Sequence, residues 1–131
     1  MLPLAHPRLW ISAGVLLVVV VMVGSLVPND YVDGAMDWND KVTHALTYMG
    51  LTLWFTGLFP RARYAWVVLA VFAFGALIEI LQTVMPFGRH GDFVDLIANS
   101  SGILLGLMLA IFWLEGWPQW VEARLRQSAG S

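Results

Sequence analysis

Between Leu9 and Val27 the chain runs for 19 residues without a charge. Wound as an α-helix at about 1.5 Å per residue, that run is roughly 28 Å long, the thickness of a bilayer's hydrocarbon core. A secretory signal peptide is the competing reading. The apolar run is too long for one, and it ends in Ser25-Leu26-Val27-Pro28 without an A-x-A cleavage pattern. It reads as a retained first membrane span.

The rest of the chain agrees. Of 131 residues, 59% are hydrophobic and only 12% charged, too apolar for a soluble domain of this size. The net charge of -2 and the lack of any basic run argue against nucleic acid as a partner. There is no cysteine, which excludes disulfides, thiolate chemistry, iron–sulfur clusters and cysteine-based zinc sites.

Three more spans follow, at about 41–59, 64–85 and 93–114. Pro28 to Asn39 reads as a loop, and Asp40 as the N-cap of the second span. Pro60-Arg61-Ala62-Arg63 is a basic turn. In the tail, Trp117, Trp120, Val121 and Leu125 recur at helical spacing beside Arg124 and Arg126, which predicts a short interfacial helix. Four spans put both termini on one side. The leader, the 60–63 turn and the tail hold Arg8, Arg61, Arg63, Arg124 and Arg126; the opposite connections hold Lys41 and Arg89. The positive-inside rule makes the termini cytoplasmic. Trp10, Tyr64, Trp66, Trp113, Trp117 and Trp120 then form an inner aromatic belt. The expectation is a single all-α domain over 1–131: an integral membrane four-helix bundle with cytoplasmic termini and a short C-terminal interfacial helix.

Polar residues inside such spans are costly, and by default they mark function. Asp40, His44 and Tyr48 are four apart and share a face near the outer end of the second span. Asp92, Asp95, Asn99 and Gly102 share a face of the fourth. Glu79 and Gln82 share a face of the third, with Glu79 roughly 9 Å from its outer end. All three sets occupy the outer half of the bundle. The carboxylates must face inward and find partners. Lys41, His44 and Arg89 are the available cations, and Gly102 with Gly106 forms a small-xxx-small pair that lets another helix approach. A water-accessible polar pocket on the outer face is expected. A weak repeat, 52 residues apart, aligns Asp40-Lys41-Val42 with Asp92-Phe93-Val94 and Gly50 with Gly102.

The stretches NDKVTHALTY at 39–48, IEILQ at 78–82 and RHGDFVDLIANSSGILLG at 89–106 resemble, in order, the three signatures of VanZ-like membrane proteins. The resemblance covers spans two to four. It implies a multi-pass protein of the bacterial inner membrane and cell envelope, from a family named for a factor giving low-level resistance to the glycopeptide teicoplanin. It supplies no reaction.

Several roles stay open. Glu79 and Gln82 serve either as interhelical glue or as a working site. Asp92 is a helix cap or a site residue. Arg89 snorkels or binds an anion such as a lipid phosphate. His44 is structural, a metal ligand or a general base. In the first functional reading the protein binds membrane lipid or a lipid-linked, phosphate-bearing envelope precursor, with Asp40, Lys41, Tyr48, Gln82, Arg89, Asp95 and Asn99 lining the pocket. In the second it is an enzyme acting on such a lipid, with His44, Glu79 and Asp92 as catalytic residues. No cofactor is required, though His44, Glu79, Asp92 and Asp95 form a candidate divalent-metal set with hard oxygen ligands. A small oligomeric transporter is the third reading. Transporter sites lie near the midplane, which this cluster does not.

Overall fold

Apolar, Val- and Leu-rich sequence from Pro7 onward has no polar face to turn to water, and it forms α1 (Pro7–Leu26). Pro7 opens the helix at a position where its missing N–H costs nothing. The computed structural model describes residues 1–27, 37–85 and 92–129, and the side chains of all of these but 37–39. Among the described residues every regular element is helical. After α1 come α2 (Asp37–Leu58), a 3-10 turn (Arg61–Arg63), α3 (Tyr64–Val84), α4 (Phe93–Phe112) and α5 (Trp117–Ala129). Gly116, with φ of 63°, takes the left-handed conformation that turns the chain between α4 and α5.

Helices α1 and α4, and α3 with the turn before it, are long and apolar enough to cross a membrane. Their outward faces carry large apolar side chains: Leu16 on α1, Leu69 and Ile80 on α3, Leu104 and Met108 on α4. α2 differs from the expected second span. It starts four residues earlier, so Asp40 lies inside it rather than at its N-cap. It also falls short of the apolarity needed to cross alone. The cause is its position: α2 touches α1, α3 and α4, and packs most extensively on α4. Its deeper polar groups are enclosed by protein. Thr52 and Thr56 are fully buried, and their hydroxyls donate to the Tyr48 and Thr52 carbonyls one turn back, at 2.8 and 2.7 Å.

The α2–α4 contact is close because α4 carries glycines there. A methyl on Gly102 would stand 2.0 Å from the Ala45 carbonyl oxygen, and one on Gly106 would stand 2.7 Å from that of Met49. The expected small-xxx-small pair is therefore the seat of α2. Gly50, its partner in the weak repeat, meets open space. Repeat-related Asp92 caps α4, while Asp40 lies inside α2.

One end of the molecule gathers the termini and the basic turn. The Leu2 N–H donates to the Leu58 carbonyl at 2.8 Å, and Arg61 pairs with Glu115 at 2.8 Å. Trp10, Trp54 and Trp117 form a triad with ring centroids 5.3–5.5 Å apart. The expected aromatic belt therefore divides. Trp66, Trp113 and Trp120 face outward. Tyr64 is buried, and Trp10 and Trp117 pack inside the triad. The tail helix divides in the same way, since Trp117 turns in while Trp120, Val121 and Leu125 stay exposed.

Candidate functional site

At the opposite end, α2 and α4 run side by side, with polar residues meeting at successive turns. Asp92 caps α4, its Oδ1 accepting the Val94 N–H at 2.9 Å. Its Oδ2 accepts from the Lys41 ammonium at 3.0 Å. The Val94 N–H, and then Lys41, hold the Asp92 carboxyl below its ordinary value of 3.8. Lys41 also donates to Asp95 Oδ1, so one cation spans two carboxylates. One turn deeper, His44 Nδ1 faces Asn99 Oδ1 at 2.9 Å. Its Nε2 faces Asp40 Oδ1 at 3.8 Å and Asp95 Oδ2 at 3.9 Å. His44 and Asp95 side chains are each about one-tenth exposed. One turn deeper again, Gly102 seats the backbone of Ala45. The ladder follows from the four-residue spacing on α2 and the three- and four-residue spacing on α4, and the glycines set its width.

Glu79 reaches the ladder from α3. Its Oε2 accepts the Asp92 N–H at 3.0 Å, so it ties the start of α4 to α3. Its Oε1 is buried without a hydrogen-bond partner among the described residues. Tyr48 sits deeper, its ring over Gly75 one turn from Glu79, and its hydroxyl is likewise buried and unpartnered. Gln82 turns away from the ladder, donating to the Ser25 carbonyl of α1 at 2.7 Å. Arg89 lies outside the described residues.

Two features matter chemically. A cleft of about 340 Å³ opens between α3 and α4, lined by Glu79 and Asp92 and by apolar Ile80, Val84, Phe93 and Leu96. Behind it, ligand atoms of Asp40, His44 and Asp95 lie within 4.8 Å of one another. The metal-capable set thus differs from the expected one: Asp40 joins His44 and Asp95, while Glu79 and Asp92 border the cleft.

Sequence reasoning missed Glu122. This α5 residue is 7% exposed. Its carboxylate accepts the Ala5 and His6 N–H groups at 2.6 and 3.0 Å and the Trp10 indole N–H at 2.9 Å. It satisfies the start of α1 across more than a hundred residues of chain. The only signal in the sequence is that it is the one acid in a tail helix otherwise rich in arginine.

A family model described as VanZ/LLP1 matches residues 14–114, which takes in the ladder, Glu79 and Gln82. No curated protein and no solved structure matches the chain.

Proposed function

The chain belongs to the VanZ/LLP1 family, and from that footing we propose that it binds a lipid-linked molecule of the bacterial cell envelope in the cleft between α3 and α4. The observation that carries this reading is Glu79: it lines a cleft whose other walls are mostly apolar, and its Oε1 is a buried acceptor without a hydrogen-bond partner among the described residues. A carboxylate oxygen only accepts, so its complement is a hydroxyl or amine of the ligand's headgroup, with the lipid tail against Phe93 and Leu96. Lys41 is already taken by two carboxylates, so Arg89, three residues before Asp92, is the proposed partner for a phosphate. The termini are proposed to lie in the cytoplasm, α2 to be the fourth span, and the cleft to open to the outer leaflet of the inner membrane. Binding there is the proposed link to glycopeptide (teicoplanin) resistance. Native mass spectrometry of the purified protein tests the reading. Wild type is expected to retain a lipid adduct that Glu79→Gln loses while unfolding at the same temperature. An adduct equally retained by both refutes it.

Asp40, His44 and Asp95 favour a second reading, a membrane enzyme using a divalent ion or an acid–base pair on the same lipid. With Nδ1 held by Asn99, Nε2 is the free ligand atom, the arrangement in which an outer hydrogen bond orients a metal-binding imidazole. Titration with cobalt(II) is expected to give a d–d absorption band that His44→Ala abolishes. A spectrum without a band removes the metal version.

A further inference from the structure

Toward the termini end a second hollow of about 420 Å³ lies between α1, α2 and α3. Val18, Phe55, Phe59, Val71 and Phe74 give it apolar walls, and Arg63 stands at its mouth. From Arg63 to Phe74 it follows α3 for about 16 Å, half the thickness of a hydrocarbon core and so the depth of one leaflet. Trp66, 70% exposed on its rim, is placed as an interfacial indole. The volume lies in the range of ligand sites. The charge at the mouth differs from its neighbour's. Arg61 is paired with Glu115, but Arg63 has no acidic partner among the described residues.

We propose that this groove holds one acyl chain of an anionic phospholipid from the leaflet at the termini end, with its phosphate on the Arg63 guanidinium. A planar guanidinium suits a phosphate. A cytoplasmic leaflet carries negative lipid, so the charge at the mouth and the length of the groove select the same occupant. This site is independent of Glu79.

The test is a native mass-spectrometric titration of the delipidated full chain. It compares phosphatidylglycerol with phosphatidylcholine of identical chains. Wild type is expected to favour phosphatidylglycerol by about tenfold. Arg63→Ala should erase that preference, whereas Arg8→Ala, which removes the same charge away from the groove, should keep it. Ala70→Trp, which fills the groove, should lower retention of both lipids. Equal retention of the two lipids by wild type, or an undiminished preference in Arg63→Ala, overturns the proposal. Any adduct that depends on Glu79 should survive Arg63→Ala, so failure here is distinguishable from failure of the cleft reading.

Discussion

Glu122 shows how one side chain can hold two ends of a chain together. Its carboxylate is held below its ordinary 4.5, chiefly by the Ala5 N–H and also by the Trp10 and His6 N–H groups, against the cost of burial. A carboxyl depressed in the folded state contributes stability above its unfolded pKa and loses it as pH falls through the folded value. Thermal unfolding in detergent is therefore expected to be level near neutrality and to worsen as pH drops below 4.5. Glu122→Gln should start less stable and flatten that acid limb. An unchanged limb would remove Glu122 from the account. No sequence pattern could have located this residue, because its partners lie 112 to 117 positions away. Asp92 was legible as a cap because capping is local. Asp40 was misplaced for the same reason: Asp37, Asn39 and Asp40 all suit an N-cap, and local chemistry does not choose among them.

Between elements, the α2–α4 pair carries the site, and its glycines set the spacing. Gly102→Ala places a methyl against the Ala45 backbone, which cannot rotate aside. It is expected to cost about 1–3 kcal/mol in unfolding free energy and to disturb the Lys41–Asp95 and His44–Asp95 pairings. Gly50→Ala, which points into open space, should instead stabilise α2 by about 0.5–1 kcal/mol. Equal effects at the two positions would contradict the seat. The face shared by Asp92, Asp95, Asn99 and Gly102 was readable from three- and four-residue spacing, and that of Asp40 and His44 from a spacing of four. The partnering of the two faces was not, since periodicity states which residues share a side and not which side they meet. Hence Gln82, legible as a neighbour of Glu79, turned out to serve α1.

Across the whole molecule, the basic turn and both termini meet at one end and the acidic ladder stands at the other. The expectation of an even number of spans already put both termini and the 60–63 turn at one end. For sidedness, reporter fusions at the C-terminus and at residue 62 are expected to be active in the cytoplasm and a fusion in the 86–91 segment outside it. The opposite pattern would invert the proposed orientation and move the cleft to the inner leaflet. Apolarity alone finds three of the long helices as spans. The fourth long helix buries Tyr48, Thr52 and Thr56 among the others, and enclosure of that kind is invisible to any window slid along a sequence.

A chain made from its N-terminus delivers α2 to the insertion machinery before the helices that shelter it exist. Lys41 finds its carboxylates 51 and 54 residues later. Until then its charge and the imidazole of His44 face either lipid or water, and partition into lipid is disfavoured by about 2.5–3.5 kcal/mol per central charge, less near a helix end. With α2 as the proposed fourth span, integration would be a joint event: α2 would settle into the bilayer when α4 arrives to take its polar face, and a nascent chain halted before Phe93 would leave α2 at the surface.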